Sequence, residues 1–261
     1  MTTALRIAVV SEFMERLRDA PSAALVLDYD GTLAPFQVDR FEAHPYPGVI
    51  PLLEKIAATG RTRLAVISGR PVFELRSMLD RLGNVEMWGA HGLERLSPNG
   101  SYGELTINRK TLELLWQAKK SIVDAGLISL AEIKPGGIAI HWRGVPAYEA
   151  KHAAALVRKL WREYAGLPLF RILEFEQGVE LRVAHPDKGD AIATLVQELE
   201  PEAQIAYLGD DKTDEDAFYT LNGRGLTVLV RPEYRKSLAQ AWLRPPEELI
   251  RFLEDWLEHA S

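Results

Sequence analysis

The sequence predicts an α/β protein in which a core domain with a parallel β-sheet is interrupted by an inserted α+β domain with an antiparallel sheet. Short apolar runs, such as 23–27, 63–67 and 204–208, alternate with helical patterns in the first and last parts of the chain. This alternation is typical of βαβ units. The middle block instead has the order helix, hairpin, helix, hairpin. Because the α/β pattern returns after this block, the core is predicted to be discontinuous.

The first core segment begins with a predicted helix over 6–18, where Val9, Phe13 and Leu17 recur at helical spacing. The apolar run 23–27 is short and ends near Gly31, which is typical of a buried parallel strand. The elements that follow are a loop over 37–47, a helix over 51–59, a strand over 63–67, a helix over 72–82 and a strand over 84–90.

The middle block contains two clear turn signals, Pro98-Asn99-Gly100 and Pro135-Gly136. The first predicts a hairpin over 93–105, and the second joins two further strands. The remaining predictions are strands over 130–134 and 137–143, helices over 109–125 and 147–164, and a hairpin over 169–176 and 178–183. We assign residues 1–103 and 185–261 to the core and residues 104–184 to the inserted domain.

The last core segment opens with a helix over 188–199, followed by a strand over 204–208 that runs into Gly209-Asp210-Asp211. A short helix over 214–221, a strand over 226–230 and an amphipathic helix over 247–259 complete the prediction.

The composition narrows the class of protein. The 261 residues carry a formal net charge of -6 and include no cysteine, so neither a thiol nucleophile nor a Cys-ligated metal is expected. No apolar run is long enough to span a bilayer, and no cleavage-type sequence follows the first residues. The mild acidity argues against a nucleic-acid partner. We therefore expect a cytoplasmic protein without a membrane or nucleic-acid partner.

Polar residues occur at four predicted strand ends or helix starts: Asp28 and Asp30; Ser68; Lys188; and Asp210, Asp211 and Asp214. The carboxyl ends of parallel strands form the ligand-binding edge of such sheets. Carboxylates collected there suit Mg²⁺, which would screen the repulsion between a nucleophile and a phosphate dianion. Each segment alone is also typical of a plain turn or helix cap. All four in this order predict phosphoryl transfer.

The chemistry assigns candidate roles to these groups. Lys188 and the Ser68 hydroxyl can hold phosphoryl oxygens, and the turn at Gly31 and Thr32 can direct backbone N–H groups at them. One carboxylate can act as the nucleophile. A second carboxylate two residues away shares its face of the strand and can act as general acid and base.

Four segments resemble the motifs of haloacid dehalogenase-like (HAD) phosphatases: Asp28-Tyr-Asp-Gly-Thr32, Ser68-Gly-Arg70, Lys188-Gly189 and Gly209-Asp-Asp-Lys-Thr-Asp-Glu-Asp216. The resemblance implies a Rossmann-like HAD core with an inserted cap domain. It is closer to trehalose-6-phosphate phosphatases in Tyr29, Gly89-Ala-His-Gly92, Glu132-Ile-Lys-Pro135, His141-Trp-Arg143 and Gly178-Val-Glu-Leu-Arg182. The sequence departs from that family's pattern at Trp142, where tyrosine is expected, and at Ala184, where proline is common.

The resemblance implies a role for each matching position. Asp28 would be the nucleophile and a metal ligand, and Asp30 would be the general acid and base and a ligand through its carbonyl. Asp210 would be the second carboxylate ligand, with Asp211 or Asp214 binding directly or through water. The residues implied in sugar binding are Arg70, Glu132, Lys134, His141, Arg143, Glu180 and Glu215.

The implied function is an Mg²⁺-dependent phosphatase that hydrolyses trehalose 6-phosphate to trehalose and phosphate through an aspartyl phosphate. Several alternatives stay open: a phosphatase of sucrose 6-phosphate or of mannosyl- or glucosyl-3-phosphoglycerate, a sugar phosphomutase, and a non-catalytic sugar-phosphate-binding module. We expect a monomer, and the resemblance allows association with a trehalose-6-phosphate synthase.

Overall fold

The computed structural model describes residues 3–83, 85–175 and 177–260, and the side chains of residues 3–7 lie outside this description. Asn84, the first residue of the predicted strand 84–90, and Glu176, the last residue of the predicted strand 169–176, also lie outside it. The chain divides into two compact units, Met1–Gly103 with Asp187–Ser261, called the core unit, and Glu104–Pro186, called the inserted unit. No helix in the described part of the chain is long and apolar enough to cross a membrane.

Both units combine α-helices with β-strands. In chain order the helices are α1 (Thr3–Asp19), α2 (Val49–Ala58), α3 (Val72–Met78), α4 (Arg109–Asp124), α5 (Ala147–Leu160), α6 (Lys188–Glu198), α7 (Glu215–Leu221) and α8 (Glu247–His259). The strands are β1 (Ala23–Leu27), β2 (Thr62–Ile67), β3 (Glu86–Gly89), β4 (Glu94–Leu96), β5 (Tyr102–Glu104), β6 (Ala131–Lys134), β7 (Gly137–His141), β8 (Phe170–Phe175), β9 (Gly178–Val183), β10 (Gln204–Gly209), β11 (Leu226–Val230) and β12 (Ala241–Leu243).

The core unit is built on an eight-stranded sheet in the order β12-β11-β10-β1-β2-β3-β4-β5. The strands from β12 to β3 are parallel, and β4 is antiparallel to β3. β1 is buried along its whole length, and its side chains alternate between two faces. Leu25 packs in one apolar cluster with Phe13 of α1 and Trp256 of α8. Val26 packs in the other with Ile192 of α6, so helices cover both faces.

The inserted unit contains an antiparallel sheet in the order β6-β7-β9-β8. One face is apolar and packs Ile138 and Leu181 against Ile122 of α4 and Val157 of α5. Because successive side chains of a strand point to opposite faces, the polar residues between them lie on the other face. The predicted fold class, a parallel-sheet core with a separate antiparallel α+β unit, is therefore confirmed.

The structure differs from the sequence prediction at several element ends. α3 ends at Met78 instead of residue 82, and α5 ends at Leu160 instead of residue 164, because turns replace the last helical turn in both. The predicted loop over 37–47 contains a 3-10 helix, Arg40–Glu42, capped by the Asp39 side chain. β12 was not predicted, since three residues between turns carry too little periodic pattern.

Candidate active site

The acidic residues converge at the carboxyl edge of the core sheet. β1 and β10 are parallel neighbours in register, with Leu27 opposite Leu208, so both strands carry the aspartates that follow them to the same edge. The backbone N–H of Asp28 continues the ladder by donating to Leu208 O at 2.8 Å. Asp28, Asp210 and Asp214 are all buried, and each offers a carboxylate oxygen within 4.8 Å of the others.

Lys188 joins two of these aspartates. Its Nζ lies 2.7 Å from Asp28 Oδ1 and 2.7 Å from Asp214 Oδ1. The lysine is buried at the first position of α6, which Asp187 and Asp190 cap reciprocally. Burial acts to lower the pKa of Lys188, but the Asp214 and Asp28 carboxylates outweigh it and raise the pKa above its ordinary value. The site therefore holds a permanent cation.

Asp214 has a hydrogen-bond donor for every acceptor position of its carboxylate. Oδ1 accepts from Lys188 Nζ and from the Tyr207 hydroxyl. Oδ2 accepts from the backbone N–H groups of Asp210 at 3.0 Å and Asp211 at 2.8 Å. An ionised carboxylate has about four lone-pair sites. Burial acts to raise the pKa of Asp214, but Lys188 and these donors lower it overall.

The other two buried carboxylates are stabilised much less. Burial raises the pKa of Asp28 to about 7, and Lys188 offsets only part of that effect. Burial and the negative charges of Asp28 and Asp214 also raise the pKa of Asp210 well above its usual range. Asp28 and Asp214 share one ammonium group, and the nearest cation to Asp210 is the partly exposed Arg231, whose Nη1 lies 3.7 Å from Oδ2. A buried excess of negative charge with oxygen donors fits a hard divalent cation such as Mg²⁺.

The turn after β1 brings the backbone against Asp210. Gly31 has a left-handed φ of +83°, and a Cβ at this position would lie 2.3 Å from Asp210 Oδ2. The N–H groups of Gly31 and Thr32 donate within the turn, to Ala34 O at 2.8 Å and Tyr29 O at 3.3 Å. Their role in binding phosphoryl oxygens stays a prediction. Thr32 also turns its hydroxyl toward Asp28 Oδ2, at 3.4 Å.

Asp30, the predicted general acid and base, forms a bidentate ion pair with Arg70. Arg70 Nε lies 2.6 Å from Asp30 Oδ2, and Nη2 lies 2.6 Å from Oδ1. Nη2 also donates to Arg40 O at 2.8 Å. In the structure the Arg70 guanidinium orients the Asp30 carboxylate, and the expected contact of Arg70 with the sugar stays a prediction.

Ser68 directly follows β2, lies beside this ion pair and is buried. Its Oγ accepts from the Arg70 N–H at 3.2 Å, and its backbone carbonyl accepts from the His91 N–H at 2.9 Å. Ala90, His91 and Gly92 all have positive φ, and a Cβ on Gly69 would lie 2.7 Å from the His91 ring. The segment 90–92, which the sequence marked only by resemblance, thus packs directly on the Ser68 turn.

The inserted unit holds a second polar cluster, on the sheet face opposite its apolar core. Lys134 Nζ lies 3.0 Å from Glu180 Oε1 and 3.8 Å from Glu132 Oε1. His141 Nε2 lies 2.8 Å from Glu132 Oε2. Ala139 stands between Glu132 and Glu180 in the register, so a small side chain separates the two acids. Four of the residues expected to bind sugar are therefore neighbours.

Two further expected sugar contacts lie in other elements of the chain. Arg143 lies in the turn after β7. Glu215 lies in the core unit, where its carboxylate pairs with Arg235 and accepts from the Leu238 N–H at 2.8 Å. Sequence reasoning also missed Tyr207, whose hydroxyl is the donor to Asp214. Its only signal was a polar-tipped residue in the apolar run of β10.

The aspartate cluster lies at the carboxyl edge of a parallel sheet, in a core unit whose sequence is interrupted by an antiparallel unit. A solved protein described as a haloacid dehalogenase-like hydrolase from B. subtilis shares this fold with a TM-score of 0.61 at 15% identity, covering 88% of this chain and 98% of that chain. The sequence profile described as trehalose-phosphatase matches residues 26–240. The chain belongs to the trehalose-phosphatase family.

Individual relatives agree with this family. A trehalose-phosphate phosphatase of Mycolicibacterium paratuberculosis is 33% identical over 221 residues, which are 80% of this chain and 54% of the relative. The chain thus spans about half the length of this curated relative. The C-terminal domain of a C. albicans trehalose-6-phosphate phosphatase shares the fold with a TM-score of 0.80 at 21% identity, covering 95% of this chain and 96% of that chain.

Proposed function

We propose that this chain is an Mg²⁺-dependent phosphatase that hydrolyses trehalose 6-phosphate to trehalose and phosphate. One observation carries the chemistry, which is the buried Lys188 held between Asp28 and Asp214 beside Asp210. Membership in the trehalose-phosphatase family supports the substrate, as does the polar cluster of the inserted unit.

The metal would be held by Asp28, Asp210 and the carbonyl of Asp30. When bound, the cation supplies positive charge that screens the approach of a carboxylate to a phosphate dianion. Asp214 is better suited to hold Lys188 in place than to bind the metal directly, because four hydrogen-bond donors already occupy its carboxylate. Asp211, which is partly exposed, is the better candidate for a ligand through water.

In the first half-reaction an oxygen of Asp28 forms a bond to phosphorus while the bond from phosphorus to the sugar oxygen breaks. Asp30 gives that oxygen a proton, which requires that one of its two contacts with Arg70 opens, because both carboxylate oxygens accept from Arg70 in the structure. In the second half-reaction Asp30 takes a proton from water as the water oxygen attacks phosphorus, which releases phosphate and restores Asp28. Lys188 and the Ser68 hydroxyl hold phosphoryl oxygens throughout, and Arg70 orients Asp30.

The polar cluster of the inserted unit suits the uncharged part of the substrate. Trehalose presents hydroxyl groups, and the charged side chains of Glu132, Lys134 and Glu180 form charge-assisted hydrogen bonds with such groups. His141 contacts the same cluster, and we include it in the proposed sugar site. Arg70, Arg143 and Glu215 remain predicted sugar contacts.

The proposal is tested by measuring phosphate release from equimolar trehalose 6-phosphate, glucose 6-phosphate and sucrose 6-phosphate, with Mg²⁺ and with EDTA. We expect strong preference for the trehalose ester and loss of release with EDTA. Asp28→Asn should release no phosphate while its circular dichroism spectrum stays unchanged. EDTA-sensitive release from another ester alone would favour a different sugar phosphatase. No release from any ester would favour a binding module.

Three further points accompany this proposal and stay predictions: the cytoplasmic location, the monomeric state and an association with a trehalose-6-phosphate synthase.

A further inference from the structure

We propose that Tyr207 is a positioning residue that acts through Asp214 to hold Lys188 where it binds the phosphoryl group. The inference rests on the proposed function, since it assigns a role to a residue that the reaction scheme does not use. It concerns a hydroxyl group that touches neither the nucleophile nor the expected substrate.

The Tyr207 side chain is fixed on all sides. It belongs to β10, is fully buried, and its ring packs edge-on against Phe218 of α7 at a centroid distance of 5.7 Å. Burial raises the pKa of Tyr207 well above its ordinary value, so the hydroxyl keeps its proton. A rigid, protonated hydroxyl is a donor with one available direction, and that direction leads to Asp214 Oδ1.

The hydrogen bonds of Asp214 show what this donor does. Oδ2 is anchored by two backbone N–H groups of the same turn, those of Asp210 and Asp211. Oδ1 is held only by side chains, the rigid Tyr207 hydroxyl and the flexible Lys188 ammonium. Without the hydroxyl, the carboxylate can rotate about its anchored oxygen, and the position of Oδ1 is then set by the lysine alone.

Movement of Asp214 Oδ1 matters because Lys188 is shared. The Lys188 Nζ lies at 2.7 Å from both Asp214 and Asp28, so a shift at one partner moves the ammonium relative to the other. The metal-facing aspartates depend on Tyr207 less directly. No hydrogen bond links its hydroxyl to Asp28 or Asp210 among the described residues, and Asp210 contacts Asp214 at Oδ2, the oxygen that stays anchored. Tyr207 should therefore affect phosphate binding much more than Mg²⁺ binding.

The test uses Tyr207→Phe, which removes one oxygen atom and keeps the ring. The probes are Mg²⁺ alone and inorganic phosphate at saturating Mg²⁺, both measured by isothermal titration calorimetry on the full chain. We expect phosphate to bind about tenfold more weakly, as for loss of one hydrogen bond to a charged group, while the Kd for Mg²⁺ changes less than about twofold. The matched control, Tyr164→Phe, removes the same atom from a buried tyrosine of the inserted unit and should change neither constant.

A double-mutant cycle tests the route through Lys188. In a Lys188→Met background, Tyr207→Phe should weaken phosphate binding no further, because the group that it positions is absent. Wild-type phosphate affinity in Tyr207→Phe, an equal loss in both backgrounds, or a matching loss of Mg²⁺ affinity would each overturn the inference. If the wild-type protein hydrolyses none of the sugar phosphates but shows the expected cycle, the proposed function fails and the positioning role stands.

Discussion

Replacing Gly31 by alanine should weaken Mg²⁺ binding at least tenfold while leaving the protein folded. Gly31 lies in the turn that follows β1 and Asp28, and its Cα faces the carboxylate of Asp210. Its φ of +83° is a conformation that costs an alanine roughly 1–2 kcal/mol. This strain alone should lower the thermal midpoint by a few degrees, about 2–4 °C per kcal/mol for a protein of this size.

The larger effect is steric. The added Cβ would lie 2.3 Å from Asp210 Oδ2 and 2.4 Å from its Cγ, whereas ordinary contact begins at 3.4 Å. The carboxylate must therefore retreat by about 1 Å, while metal–ligand distances are held to within about 0.2 Å. Because the side chain of Asp210 can rotate away, the clash should be relieved at the cost of ligand geometry and not by unfolding. We expect at least a tenfold loss of Mg²⁺ affinity.

Gly60 provides the matched control. It has a φ of +70°, and a Cβ there would meet no atom within 4 Å, so Gly60→Ala carries the backbone strain without the clash. Titration calorimetry with Mg²⁺ and thermal denaturation are measured for both variants. Both should lose stability, Gly31→Ala the more because its Cβ would also lie 2.8 Å from the Phe36 ring, and only Gly31→Ala should lose metal affinity. Wild-type Mg²⁺ affinity in Gly31→Ala, or an equal loss in Gly60→Ala, would refute the steric argument.

Three further predictions concern charge. Because the pKa of Asp28 is raised to about 7, the folded state keeps a proton that the unfolded state releases above about pH 4. The metal-free protein should therefore lose stability as pH rises from about 4 to 7, and Mg²⁺ should raise the thermal midpoint more at about pH 8 than at about pH 5; equal shifts would contradict this. Glu180→Ala should lower kcat/KM for trehalose 6-phosphate about tenfold and leave p-nitrophenyl phosphate hydrolysis nearly unchanged, whereas equal losses would remove Glu180 from the sugar site. Glu86 is fully buried between Arg63 and Arg95. Replacing it by alanine should lower the free energy of unfolding by about 2–3 kcal/mol. Glu198→Ala, which removes a more exposed partner of the same arginines, should cost less than about 1 kcal/mol.

Local pattern was enough to locate much of the fold. Ala23–Leu27, Leu226–Val230 and Glu247–His259 have the predicted bounds, since two are compact apolar runs and the third is a strongly amphipathic helix. The order of elements and the insertion also follow from the alternation of patterns. The ends of α3 and α5 were wrong because apolar periodicity continued past the helices into buried turn residues such as Leu82 and Tyr164.

The residue types of the core cluster were likewise predictable, but their hydrogen bonds were not. Lys188 lies 160 positions from Asp28, and no local rule determines which carboxylate oxygen such a distant side chain contacts. The same applies to the pairing of Arg70 with Asp30. The N–H groups of Gly31 and Thr32 show the same limit, because the sequence indicates a tight turn but not that the turn uses its own donors.

The three buried aspartates differ in how far the protein stabilises their ionised forms. This difference explains how one small site can hold the Lys188 ammonium and also attract a metal cation. Burial acts to raise the pKa of all three, yet only Asp214 ends below its ordinary value, because it alone receives donors at every acceptor position. Asp214 therefore stays ionised and keeps Lys188 in place. Asp28 and Asp210 are left with raised pKa values, so their ionised forms are unfavourable until a cation compensates them. A carboxylate that binds a metal needs an ionised oxygen with an available lone pair, and the carboxylates that the protein stabilises least are the ones that offer it.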